Sequence, residues 1–406
     1  MQEIKQKVSN IFFYLIVACY MTEGIVDVIV GSSWPIIAKT IKIDLSFIGI
    51  LTMFYYLGAI ITSPSTYKIR KKLGTNYTMV LTQVCFSVAL VLYIVATNIY
   101  VLLIGMFING MGCGLMEVNA HSYVLKAYDV KGEAFLSSFW GVGSVIGSTV
   151  MAAANRYYPP YQKGFVVLII ILVFNIILLL SAKSHWVKKK KTISSEIVNL
   201  HSVTEEEKNV NLRITDLVRN KKIVLVLICF FLSQGVLIAL NSLVSTIIAN
   251  QGKINESKAI ELAILFFVAI FIGRMIFGYM TKKENIIVVL KANTLIVCII
   301  LMILSICPLD GIVISTLIIL LGFIASPIIP FLNAYIKETF DVTLLSALLG
   351  YGDVSGVMGI IIMSGLTSLI LSIGSIQKVE VFFTVFLFIL FLVLIKIEKI
   401  SKVETV

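Results

Sequence analysis

Twelve stretches of this chain read as apolar runs of about 20 residues or more, the length an α-helix needs to cross a hydrocarbon core about 30 Å thick. In the first half they run over 10–37, 45–67, 77–97, 100–127, 133–155 and 164–184. In the second they run over 222–250, 258–281, 285–306, 310–337, 345–371 and 377–396. Composition agrees: 59% of residues are hydrophobic and only 14% charged, far from a soluble profile. The expectation is an all-α membrane protein of twelve transmembrane helices, with the lipid bilayer as its main surroundings. The first stretch is too long for a cleaved leader and carries Glu23 and Asp27, so it reads as the first span.

A net charge of +11 invites a nucleic-acid reading, but the placement of the charges opposes it. Lys39, Lys42, Arg156, Lys163, Lys253, Lys258 and Lys378 fall on one side, and Arg274 falls within a span. The remaining 25 of the 33 Lys and Arg fall on the other side. Basic loops mark the cytoplasmic side, so both termini are expected there, in a multi-pass protein of the cell membrane. The surplus orients the chain; no nucleic-acid partner is expected. Cys19, Cys85, Cys113, Cys229, Cys298 and Cys307 fall in apolar segments without a CxxC and read as packing residues. With no zinc spacing, P-loop or HExxH, neither an enzyme nor a cofactor is expected.

The one long polar stretch divides six spans from six. The expected organisation is a bundle over 1–184, a cytoplasmic linker over 185–221 lying on an anionic leaflet, and a bundle over 222–406. A weak repeat links the halves. Gly141, Gly143 and Gly147 form a GxGxxxG run that recurs as Gly350, Gly352 and Gly356, a shift of 209 residues from Gly141 to Gly350. A duplicated six-helix bundle leaves such a trace. Gly110, Gly112 and Gly114 in the fourth segment, with Gly141, Gly143, Gly147, Gly352 and Gly356, are expected to let helix backbones approach closely.

Charged groups inside spans cost about 2.5 to 3.5 kcal/mol each on insertion scales, so they point to a pathway for ions or solutes. Glu23 and Asp27 lie one turn apart on the first segment, and Glu117 and His121 one turn apart on the fourth, each pair sharing a helix face. Asp353 and Arg274 lie near the inner ends of their segments, as candidates for a gate or an ion pair, with snorkelling preferred for Arg274. Gln234 and Asn241 on the seventh segment, with Asn119, His121 and Trp140, are candidates to hold substrate. Isolated amides and aromatics serve packing as readily.

The run Gly110-Met111-Gly112-Cys113-Gly114-Leu115-Met116-Glu117-Val118-Asn119-Ala120-His121 resembles a helix-4 signature. It is that of fucose-permease-like members of the major facilitator superfamily. There a glycine-rich stretch leads to an acid and then, four residues on, to a polar residue; His121 replaces the usual Asn. Phe139-Trp140-Gly141-Val142-Gly143 is similar to the family's Phe-Gly-x-Gly segment, and Gly273-Arg274 and Gly322 to Pro330 also look familiar. The chain departs from the pattern between the second and third segments, where Lys71 and Thr75 flank Gly74 in place of the usual Asp and Arg.

The resemblance implies two pseudo-symmetric six-helix bundles around a cavity, working by alternating access. It also implies an acid of helix 1 and Glu117 coupling protons to solute, with Glu23 and Asp27 both open for the helix-1 role. The expected function is proton-coupled symport of a small polar, sugar-like solute by a monomer. Proton-coupled efflux of drugs or amphipathic compounds is the alternative. A non-transporting membrane sensor or scaffold is the reading from another class.

Overall fold

The computed structural model describes residues 10–127, 130–157, 160–181, 220–340 and 342–404; most of the polar stretch expected as a linker lies outside them. Among the described residues there are helices and no strands. In the first half they are α1 (Asn10–Ile41), α2 (Phe47–Leu73), α3 (Thr75–Val95), α4 (Ile99–Ala127), α5 (Val130–Tyr157) and α6 (Gln162–Ser181). In the second they are α7 (Lys221–Gln251), α8 (Glu256–Met280), α9 (Ile286–Ile306), α10 (Gly311–Ala325), α11 (Ile328–Thr339), α12 (Val342–Ile373) and α13 (Ile376–Glu404). Each expected span is present, and α10 with α11 makes a single one.

Local chemistry explains several ends. Gly74 separates α2 from α3 with a φ of +85° and accepts the turn that a side chain would resist. The Asn220 side chain accepts the backbone N–H groups of Lys222 and Ile223 and starts α7. The α10–α11 break falls at Ser326 and Pro327, a region where Pro330 also lacks the N–H that would bond Ser326.

Among the described residues, eleven spans are long and apolar enough to cross a membrane. The glycine- and serine-rich α5 packs against α1 on one side and α8 on another. Lipid offers apolar helices no hydrophobic reward for pairing, and association rests on close packing and polar contacts. The glycines supply the first. A Cβ on Gly143 would meet the Met21 carbonyl, one on Gly147 the Ile25 backbone, and one on Gly110 the Tyr55 carbonyl. Gly112 faces the Phe86 ring and Gly114 faces Ala59 and Thr62.

The repeat survives in these contacts. Gly352 faces the Phe230 ring and Gly356 the Gln234 amide. Phe230 and Gln234 follow Met21 and Ile25 by the same 209 residues that separate Gly352 from Gly143. Hence α5 packs on α1 as α12 packs on α7, the signature of two six-helix bundles related by pseudo-symmetry. The repeat has worn away at its first position. Gly141 makes only ordinary contact with Phe271, and a Cβ on Gly350 would meet nothing within 4 Å.

One end of the molecule is shut. Ser245 Oγ donates to the Gly31 carbonyl at 2.8 Å and Ser368 Oγ donates to the Ser46 carbonyl, joining α7 to α1 and α12 to the start of α2. Lys39 pairs with Glu256 at 2.9 Å and Arg156 with Glu261 at 2.7 Å across the same end. Such exposed pairs contribute about 1 kcal/mol or less. Lys39→Ala is therefore expected to leave the thermal midpoint nearly unchanged, yet to raise thiol labelling of a Ser242→Cys reporter by about fivefold at most, since 1.4 kcal/mol corresponds to tenfold. Unchanged labelling would remove the pair from the gate.

Candidate functional site

Halfway along α1 and α4, three polar side chains converge. One carboxylate oxygen of Glu23, the Cys113 thiol sulfur and one carboxylate oxygen of Glu117 lie within 4.8 Å of one another. Glu23 is fully buried, Cys113 is buried and Glu117 is exposed, so the cluster is reached past Glu117. Tyr20 Oη donates to Glu117 Oε1 at 3.4 Å. Helical spacing explains the gathering, because Tyr20 and Glu23 share a face of α1, as do Cys113 and Glu117 on α4. Two hard carboxylates with a soft thiol form a mixed ligand set, and no metal is assigned to it.

Asp27 occupies a different setting one turn on. Tyr55 Oη of α2 donates to its Oδ1, and Trp140 Nε1 of α5 donates to its Oδ2 at 2.8 Å. Glu23 shares this cluster with Glu117, while Asp27, also within electrostatic reach of Glu117, ties three helices together. Hydrogen bonds to a carboxylate are the strong kind, worth about 1.5 to 3 kcal/mol. Trp140→Phe deletes the donor and also shrinks the ring, so thermal unfolding in detergent should show a loss of at least about that size. A midpoint equal to wild type would mean that the bond carries no stability.

Trp140 also meets the second bundle. The Arg274 guanidinium lies 5.6 Å from its ring centroid, and Arg274 Nε donates to the Ser326 carbonyl at 3.4 Å. That carbonyl is the one Pro330 cannot engage. Arg274 thus neither snorkels nor pairs with an acid among the described residues; it satisfies the helix break and stacks on Trp140. This corrects two expectations together, since a Trp140 whose N–H is spent on Asp27 and whose ring meets Arg274 is poorly placed to stack on substrate.

Other expected site residues scatter. Asn119 is fully buried and its Nδ2 donates to the Thr75 carbonyl at 3.2 Å, a tie between α4 and α3. Gln234 lies against Gly356 and Asn241 is half-buried on the same helix. Among the described residues, no hydrogen bond links either amide to α1 or α4. Asp353 is exposed on α12. The backbone of His121 is helical, and its side chain lies outside the described residues. Tyr20 and Cys113 were missed by sequence reasoning, although each stands one turn before a flagged acid. The clefts at the shut end, of about 360 and 290 Å³, gather around Lys39 and Glu256, well away from the acids.

Residues 16–341 match the model of the Major Facilitator Superfamily. The chain belongs to that superfamily. It is accordingly a multi-pass membrane transporter with the major facilitator fold. The solved structure of a D-xylose-proton symporter superposes on this facilitator with a TM-score of 0.73 at 12% identity, covering 95% of this chain and 97% of that one. That of the nucleoside transporter NupG gives a TM-score of 0.71 at 12% identity, covering 96% and 98%. An uncharacterized transporter of Sinorhizobium fredii, y4wD, is 27% identical over 136 residues, 33% of this chain; the match spans 36% of that protein's length.

Proposed function

We propose that this facilitator moves a small polar, sugar-like solute across the cell membrane by proton-coupled symport, as a member of the fucose-permease-like branch. The observation that carries this reading is the approach of Glu23 and Glu117 within 4.8 Å at mid-helix, with Glu117 exposed. Two carboxylates at that separation in a low-dielectric site repel strongly, and one proton taken up between them relieves the repulsion. Solute bound beside Glu117 would then travel with the proton. The fold shared with a D-xylose-proton symporter and a nucleoside transporter agrees with polar cargo.

The remaining assignments follow from the same reading. The bundles are divided at 185–221 and work as one monomer. The termini are cytoplasmic, so the shut end faces outward and Glu117 is reached from inside. Asp27 with Tyr55, Trp140 and Arg274 conveys the state of α1 to the second bundle. Gln234, Asn241 and His121 stay as candidates for substrate contact, and Asp353 for gating. The test is solute uptake into sealed vesicles with an imposed pH gradient. Accumulation on the alkaline side supports symport, accumulation on the acid side means proton exchange and efflux, and no flux for any polar solute rejects the proposal.

A further inference from the structure

Far from the central acids, at the shut end of the molecule, α13 carries a second buried carboxyl group that the apolar pattern hides. Glu380 is 0% exposed. Its Oε2 accepts a hydrogen bond from Gln251 Nε2, in the last turn of α7, at 2.7 Å. Two atoms of this pair are left over. Glu380 Oε1 and Gln251 Oε1 are both buried and neither has a hydrogen-bond partner.

An ionised carboxylate has acceptors only, and an amide oxygen is an acceptor too. As an anion, Glu380 therefore cannot serve the Gln251 oxygen. A neutral carboxylic acid has one donor, and an acid facing an amide can exchange two hydrogen bonds, N–H to carboxyl oxygen and O–H to amide oxygen. A single proton on Glu380 Oε1 thus accounts for both orphaned atoms. Turning the amide by half a revolution would set its oxygen against Glu380 Oε2, and that contact also calls for a proton between the oxygens.

Among the described residues, no ion pair gives Glu380 a compensating charge. Toward it α9 presents Cys298, whose Sγ lies 3.8 Å from the Thr384 carbonyl, and α9 gives way to the exposed Cys307. Lys253 follows α7 and Lys378 precedes Glu380 on its own helix, both exposed. The ionisable groups of α12, Tyr351 and Asp353, lie at that helix's opposite end, and Asp310 precedes α10.

We propose that Glu380 and Gln251 form a proton-binding site, separate from the central acids, in which Glu380 is held as a neutral acid bonded to the amide. The site braces the end of α7 from which the chain turns to Glu256 and its pair with Lys39. It stands whether or not the central acids couple protons to solute.

Infrared difference spectra of the full-length protein and Glu380→Gln at neutral pH test it. The expected difference is the carbonyl band of a protonated carboxylic acid, shifting in deuterated water. A difference made only of carboxylate bands overturns the proposal. Should Glu380→Gln fail to fold, Gln251→Leu keeps the acid and deletes its partner. The acid carbonyl band is then expected to move, and an unmoved band overturns the pairing. Stability supplies a further readout. A proton held by the folded state and released on unfolding makes stability fall as pH rises. The midpoint of wild type minus that of Glu380→Gln should decline toward alkaline pH, and a difference independent of pH would count against the site.

Discussion

Glu117→Gln should abolish solute accumulation driven by a pH gradient while leaving exchange of solute for solute intact. A gradient of one pH unit stores about 1.4 kcal/mol per proton, enough for about tenfold accumulation if one proton accompanies each solute. In the variant the ratio should drop to about one. Glutamine keeps the size and hydrogen-bonding capacity of a protonated glutamate, so binding and rocking of the bundles can continue without the charge change. Glu23→Gln should have the same effect, because one oxygen of each acid shares a 4.8 Å neighbourhood. Asp27→Asn should instead impair accumulation and exchange alike, since it loosens the bonds to Tyr55 and Trp140. A Glu117→Gln carrier that still concentrates solute with full pH dependence would refute the proton role.

Gly143→Ala and Gly110→Ala should unfold or strongly destabilise the protein, whereas Gly141→Ala and Gly350→Ala should be tolerated. In a helix, exchanging Gly for Ala is intrinsically favourable by about 1 kcal/mol. At Gly141 the new methyl meets Phe271 Cβ at 3.4 Å, ordinary contact, and at Gly350 it meets nothing. At Gly143 it would collide with the Met21 carbonyl and at Gly110 with the Tyr55 carbonyl. Both obstacles are backbone, so relief requires α1 to part from α5, or α2 from α4. Overpacking that only moves side chains already costs about 1 to 3 kcal/mol, and parting two helices should exceed it. Thermal unfolding and the yield of monodisperse protein in detergent measure the contrast. Equal behaviour of all four variants would show that the interfaces are looser than described.

Those four glycines mark the limit of what a string of residues conveys. Gly141 and Gly143 stand in one motif and look alike, but α5 turns Gly143 toward α1 and Gly141 toward α8. The acids teach the same lesson. Glu23 and Asp27 share one face of α1, and the pattern gives no ground for choosing between them. Only the tertiary structure shows Asp27 hydrogen-bonded to Tyr55 and Trp140 on neighbouring helices and Glu23 beside Cys113 and Glu117. Arg274 near a helix end reads as a snorkelling side chain, because the carbonyl it serves depends on Pro330, 56 residues away. Glu380 escapes sequence reading for a related reason: it sits in the first turns of its span, where an exposed acid is unremarkable, and packing against residues far away in sequence, Gln251 of α7 among them, buries it.

Span number, helical class, the 209-residue repeat and the concentration of acids on α1 and α4 were legible in the chain alone, because hydropathy and helical period act over neighbours one or two turns apart. Which acid meets Glu117, which glycines carry a backbone contact, which end is shut and where Glu380 finds its partner were decided by tertiary structure. Each depends on how one helix is rotated against another, and that rotation is set by short-range contacts between residues far apart in sequence.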